Sequence, residues 1–382
     1  MKFLTRLSNN SDYDFWLGPH INSATDIMVS ESKRKYLEDN LKYYQIPYKT
    51  MIEDVQKIFE AERRDAEELT GRVSPTFFDK YQTLNEIYRF MESLADEFPD
   101  IASVFTIGTS YEVREMKGIK IGSNKNSSKP IIWLDAGIHA REWISPPTVL
   151  YIATQLATEY EIKDDVKKLV DEFDWYILPV ANPDGYVYSH TTNRLWRKTR
   201  SMTRSFWGCR GADPNRNFGY QWNVAGASNE PCSEIFAGYH PFSEPETKNI
   251  ADFLTARKDN LKLYLTYHSY GQFWFTPWGY TKTLPSSYHE MINLAQPAID
   301  AIEKKHGFRY SLGSSSNLLY LAAGGSDDWA YGSLGVKYSY TIELRDTGTY
   351  GFALPQRFII PVGEENWEAV KTLAMLLKDK LR

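Results

Sequence analysis

Two histidines and a glutamate in this chain stand at places suited to holding a metal ion. His139 follows a short apolar run, residues 131–135, by one turn, and Glu142 comes three positions later in His-Ala-Arg-Glu. His268 closes a second apolar run that begins at Leu261. If both runs are strands of an open α/β sheet, ligands collect at their carboxyl ends, and the three side chains converge there. Two imidazole nitrogens and one carboxylate make a three-donor catalytic zinc set with a fourth position left for water. A His-x-x-Glu match arises by chance in many sequences; the strand-end histidine far along the chain gives it weight.

Hydrolysis at such a centre needs a carboxylate to take a proton from the attacking water. Glu343 is the candidate, because it ends the apolar alternation of residues 338–342; pairing with Arg345 is the competing reading. Arg197, and Asn215 with Arg216, are by themselves ordinary loop residues. Guanidinium groups beside a metal would nevertheless bind carboxylates and oxyanions well.

The elements that must position these residues alternate along the chain. Residues 131–135, 175–180, 261–268 and 338–343 read as strands buried on both faces. Helical spacing marks residues 147–160, 246–257, 286–306 and 364–381. Ser243 and Glu246 have the form of a capping box, Gly307 is a helix stop, and Pro297 should kink its helix. The alternation predicts an α/β domain, a mixed, mostly parallel twisted sheet with helices on both faces, over residues 73–382. Residues 1–50 read as a small α+β unit, with a strand at 25–29 and a helix at 33–44. A helix over 51–70 then loses its apolar stripe and becomes almost wholly charged, as a solvated connector does. The domain boundary is placed after residue 72.

Composition sets outer limits. The chain has 382 residues, 42% hydrophobic and 24% charged, which excludes a mostly disordered chain. A net charge of −5 gives no reason to expect nucleic-acid binding. No apolar run approaches the roughly 18 residues that a membrane span needs. Residues 1–7 are followed at once by polar residues, so a secretion signal is expected to be absent or removed. Cys209 and Cys232 could be buried thiols or a disulfide; their number does not decide.

Longer motifs join these residues. Gly137-Ile-His-Ala-Arg-Glu-Trp-Ile144, Asn182-Pro-Asp-Gly185, Asn193-Arg-Leu-Trp-Arg-Lys-Thr-Arg200, His268-Ser-Tyr270 and Tyr340-Thr-Ile-Glu-Leu-Arg-Asp-Thr-Gly-Thr-Tyr-Gly-Phe352 occur in that order. Together they closely resemble the zinc metallocarboxypeptidases of the carboxypeptidase A and B family, over roughly residues 75–380. The two-histidine, one-glutamate zinc set is the one carboxypeptidase A is known for, so the ligand set is carried over from the family. The resemblance implies one Zn²⁺ per chain on His139, Glu142 and His268, with Glu343 as general base. Asp213 would hold the distal nitrogen of His139, and Arg197 would stabilise the oxyanion. Asn215, Arg216 and Tyr320 would hold the substrate's terminal carboxylate, with Arg141 and Tyr270 along the approach. Cys209 and Cys232 match the family's disulfide.

Residues 14–60, through Asp14-Phe-Trp-Leu-Gly-Pro19, Ile46-Pro-Tyr48 and Ile52-Glu-Asp-Val-Gln56, look like the family's inhibitory prosegment. The resemblance implies a secreted, extracellular, monomeric zymogen acting on peptide and protein carboxyl termini. A trypsin-like protease is expected to activate it after Arg72, with Arg63-Arg64 as second choice, and the uncleaved chain to be nearly inactive. Specificity turns on Asp327. B-type members carry an acid there, which attracts Lys or Arg, whereas A-type members carry an apolar residue. Ser315, small, leaves room for a long side chain. The alternatives are an A-type enzyme for apolar or aromatic termini and a non-catalytic zinc- or peptide-binding protein. Two features depart from the family pattern. Residues 331–336 hold one extra residue, which could displace Asp327, and the prosegment's usual first strand and signal peptide are not found. Asn9 and Asn126 head glycosylation sequons.

Overall fold

The computed structural model describes residues 2–7, 12–19, 24–70, 77–124 and 128–381, with residues 65–70 described by their backbone alone. An eight-stranded sheet runs in the order β3-β4-β6-β5-β7-β10-β8-β9. Its strands are β3 (Ala102–Thr109), β4 (Glu115–Ile121), β5 (Ile131–Ala136), β6 (Asp174–Leu178), β7 (Leu261–Ser269), β8 (Phe273–Thr276), β9 (Ser311–Ser314) and β10 (Tyr338–Leu344). The central pairs β6/β5, β5/β7 and β7/β10 are parallel, as is β8/β9; β3/β4, β4/β6 and β10/β8 are antiparallel. The expected mixed, mostly parallel sheet is therefore present.

Helices cover both faces because the central strands are apolar on both. Ile132, Leu134 and Ala136 of β5 enter a core with Ser145–Thr158, Tyr288–His306 and Ile359–Leu381. Ile131 and Trp133, one step out of phase, enter the opposite core with Phe218, Leu254 and Trp329. From β5 the chain moves first to β6 on one side and later to β7 on the other. The strand order reverses at that point, and the crevice between the carboxyl ends of β5 and β7 is where such a sheet binds ligands.

Several local expectations change. The capping box at Ser243 and Glu246 does not form. Glu244 is the N-cap, Ser243 Oγ donates to the Glu244 carboxylate at 2.8 Å, and Glu246 accepts from the Tyr111 N–H at 3.0 Å. A capping box does close at Thr83 and Glu86. The strand expected at 175–180 ends at Leu178, since Pro179 has no N–H to give a ladder. The helix at Tyr288–His306 continues through Pro297 and stops at Gly307, whose φ is +77°. β3, β4, β8 and β9 were not expected.

The amino-terminal unit is a two-stranded antiparallel sheet, β1 (Tyr13–Leu17) and β2 (Asp26–Val29), packed with helices Lys2–Leu7 and Glu31–Tyr43. β1 is a strand that the sequence reading did not place. The connector helix runs Val55–Thr70; the boundary at residue 72, Asn9 and Asn126 lie outside the described residues.

Glu246 gives a stability prediction. It is 1% exposed, and its Oε2 has no hydrogen-bond partner among the described residues. Burial pushes its pKa up to about 8, against the Tyr111 N–H, which lowers it. The folded chain thus keeps a proton that the unfolded chain releases near pH 4.5, and stability falls as pH rises through the window up to 8. Glu246→Gln, which mimics the protonated acid, is expected to raise stability at pH 8.5 by about 2 kcal/mol while changing it little at pH 4.5. Thermal and urea unfolding at the two pH values checks this; an equal effect at both removes the buried-acid explanation.

Candidate active site

The register of the central strands places the candidate residues. In the β10/β7 pair Glu343 stands opposite His268, and in the β5/β7 pair Ala136, three residues before His139, stands opposite Tyr267. His139 Nδ1 lies 2.7 Å from Glu142 Oε1, and His268 Nδ1 lies 3.1 Å from Glu142 Oε2. The two Nδ1 atoms are 3.2 Å apart. All three side chains are buried, and among the described residues no other group of His, Cys, Asp and Glu gathers this way.

This donor set fits a divalent cation. Two imidazole nitrogens 3.2 Å apart, both turned to one carboxylate, present lone pairs and negative charge to a single point. Burial opposes ionisation of Glu142, yet His139 and His268 hold it well below the usual carboxylate range. Burial and the Arg197 guanidinium push His139 down, whereas for His268 the Glu142 carboxylate outweighs burial and raises it to about 9.

Asp213 is the hub beneath the site. Its Oδ1 is 3.0 Å from His139 Nε2 and accepts from the Asn215 N–H at 2.9 Å. Its Oδ2 accepts from Arg197 Nε and Nη2 at 3.1 and 2.9 Å. Despite burial, Arg197 and His139 hold Asp213 well below the usual range. Holding Arg197 as well as His139 is a second task that the sequence did not disclose. Arg197 Nη1 remains directed to the centre, 3.9 Å from Glu142 Oε1.

Glu343 lines the same cleft, and Arg345 does not hold it: Arg345 pairs with Glu365 instead, Nε to Oε1 at 2.9 Å. Burial pushes Glu343 up to about 8; His268 lowers it and Glu142 raises it. A cation at the adjacent donors works in the lowering direction.

Asn215, Arg216, Ser315, Tyr320 and Asp327 also line the cleft. Arg216 is held by Gly226 O at Nε, 2.8 Å, and by Asn215 O at Nη1, 2.9 Å. Asp327 sits in the first turn of helix Ser326–Gly332, buried. Burial raises its pKa, with Thr341 and backbone N–H groups lowering it. The chain turns before β10 at Gly335, whose φ is +73° and which has open space around it.

The amino-terminal hairpin covers this cleft. Trp16 and Leu17 line it, and the Trp16 ring lies 5.2 Å from Phe352. Asp14 accepts from Arg141 Nη1 at 3.0 and 3.1 Å, Asp26 accepts from the Tyr270 hydroxyl at 2.7 Å, and Gly18 lies against the Tyr320 ring. Farther along, Glu62 of the connector pairs with Arg194 at 2.9 and 3.2 Å. Arg141 and Tyr270 therefore face the hairpin. Sequence reasoning passed over Trp16, Asp26, Glu62, Arg194, Thr341 and Phe352. Trp16, Arg194, Thr341 and Phe352 lie inside quoted motifs, which were the available signal.

Cys209 and Cys232 form a disulfide with Cα atoms 5.2 Å apart, which closes the loop carrying Asp213, Asn215 and Arg216.

A crevice at β5/β7, a buried His, Glu, His cluster suited to a metal ion and a hairpin over the cleft thus stand together. The chain belongs to the zinc carboxypeptidase family, whose match spans residues 87–369; a carboxypeptidase activation peptide matches residues 1–62. The metal is zinc. The chain is 52% identical to carboxypeptidase B of Astacus astacus, over 78% of this chain and 97% of that protein. It is 42% identical to carboxypeptidase A2 of Rattus norvegicus, over 96% and 88%. Among solved structures, thrombin activatable fibrinolysis inhibitor matches with a TM-score of 0.90 at 35% identity, over 99% of this chain and 95% of that one. Carboxypeptidase A from Helicoverpa armigera matches with a TM-score of 0.91 at 31% identity, over 99% and 94%. In the described residues no helix is long and apolar enough to cross a membrane.

Proposed function

We propose that this zymogen yields an exopeptidase that removes carboxyl-terminal Lys or Arg. The observation that carries the proposal is Asp327, a carboxylate buried in the cleft wall where a substrate side chain would enter. A guanidinium or ammonium would pair with it, whereas an apolar side chain would leave a buried acid without compensation. The relative at 52% identity is named as a carboxypeptidase B, which supports the same side.

The roles proposed are those that the family resemblance implies for these residues. Arg216 and Asn215 take the terminal carboxylate, with Tyr320 closing over it, so that only the last residue fits. His139, Glu142 and His268 hold zinc, which when bound polarises the scissile carbonyl and lowers the pKa of water. Glu343 takes a proton from the attacking water and passes it to the leaving amine. Arg197, steadied by Asp213 at Nε and Nη2, offers Nη1 to the developing oxyanion. In the zymogen, Asp14 on Arg141, Asp26 on Tyr270 and Trp16 in the cleft keep peptides out. A silent zinc- or peptide-binding protein would be expected to lack Glu343, Arg197 or a donor, and all are present. Residues 1–72 act as the removable segment, and a disulfide in the site loop suits an extracellular protein.

Treatment with trypsin is expected to expose Val73 as the new amino terminus and to switch on release of Arg from a short peptide. Activity should vanish with a chelator and return with zinc. With kcat/KM measured for peptides ending in Arg and in Phe, Arg is expected to lead by at least about 100-fold, or about 2.7 kcal/mol. Preference for Phe would establish the A-type reading, and a first residue far from 73 would move the cleavage site.

A further inference from the structure

One buried hydrogen-bonded chain beside the site has no task in this reaction. Asp135, at the end of β5, and Thr266, on β7, are both 0% exposed. Trp133 Nε1 donates to Asp135 Oδ2 at 2.7 Å, and Thr266 Oγ1 lies 2.6 Å from Asp135 Oδ1. The same hydroxyl lies 3.2 Å from His268 Nε2. Beneath His139 a carboxylate, Asp213, reaches the distal nitrogen directly; beneath His268 the carboxylate reaches it through a hydroxyl.

A neutral imidazole that turns the Nδ1 lone pair to a cation carries its proton on Nε2. For His268 the acceptor of that proton is Thr266 Oγ1. A hydroxyl has a single proton, and Asp135 Oδ1 at 2.6 Å takes it. The indole N–H can only donate, so it fixes Oδ2 as an acceptor and leaves Oδ1 to Thr266. The chain therefore runs one way, from His268 Nε2–H to Thr266 Oγ–H to Asp135.

We propose that Asp135 and Thr266 are positioning residues that set the tautomer and ring orientation of His268 for zinc. The inference rests on reading His268 as a zinc ligand. Distal partners of metal-bound histidines typically affect metal affinity by about 10- to 100-fold.

The test is competition between the full-length, zinc-stripped protein and a chelator of known affinity, with the visible spectrum of the cobalt(II) form as a second readout. Thr266→Val removes the hydroxyl at nearly constant volume and is expected to weaken zinc by about 10- to 100-fold and to shift the cobalt bands. Thr266→Ser keeps the hydroxyl and should stay within about threefold. Asp135→Asn tests direction. Trp133 Nε1–H still needs an acceptor, so the new amide turns its oxygen there and its NH₂ toward Thr266, which reverses the chain and favours the wrong tautomer. It is expected to weaken zinc about as much as Thr266→Val, and it decides the matter alone if Thr266→Val does not fold. Folded Asp135→Asn and Thr266→Val proteins that bind zinc within twofold of wild type, with unchanged cobalt bands, overturn the proposal. Equal losses in Thr266→Ser and Thr266→Val also overturn it. Failure of the wild-type protein to take up zinc strikes the ligand reading instead.

Discussion

In the trypsin-activated protein, Glu343→Gln is expected to lower kcat by about 10³- to 10⁴-fold while one zinc per chain remains bound. The side chain lines the cleft from β10, in register with His268, but is not one of the three converging donors. Gln keeps its size and its neighbours and loses only the capacity to accept and return a proton. Arg345 is occupied by Glu365, so the substitution frees no buried guanidinium, and folding should be nearly unaffected. Kinetics combined with metal analysis decides the point. Activity within tenfold of wild type would place the base elsewhere, and loss of zinc would make Glu343 part of the metal site.

The second large effect is on specificity. Asp327→Ile is expected to lower kcat/KM for an Arg-terminated peptide by about 10³-fold, some 4 kcal/mol, and to raise it for Phe. The neighbouring acid is the control. Asp328 accepts from the N–H groups of Gly279 at 2.9 Å and Tyr280 at 3.1 Å, so it braces the loop that forms the pocket floor. Asp328→Asn keeps an oxygen to accept from those N–H groups and should leave the ratio of Arg to Phe rates within about threefold, because it is not the group offered to substrate. If Asp327→Ile still prefers Arg, the basic selectivity has another source.

The central strands were legible in the sequence because burial on both faces makes them unbroken apolar runs. The outer strands were not. β3 is exposed at alternate stretches and its pairing slips between Thr106 and Thr109, β8 has four residues next to a proline, and β9 is Ser-Leu-Gly-Ser. Short or half-exposed outer strands like these are specified by their neighbours more than by their own pattern. The donors at the centre could be read because they sit at the ends of visible strands. The hairpin's contacts could not. Asp14 and Arg141 are 127 positions apart and Asp26 and Tyr270 are 244, and nothing local announces such pairs. The capping box failed for a related reason, since Glu246 is claimed by Tyr111 from across the fold.

The placement of the hairpin contacts also bears on timing. Asp14, Trp16, Asp26 and Glu62 all lie upstream of Arg72, so a cut there removes no group that touches the cleft. It removes only the covalent link, and with it an effective concentration that short linkers hold near the millimolar range. Severing and departure then become separate events, the second governed by an off-rate. Freshly cut protein should show a lag that dilution does not shorten, with a final activity per molecule that dilution raises, and the liberated fragment, added back, should behave as a reversible competitor of its own enzyme.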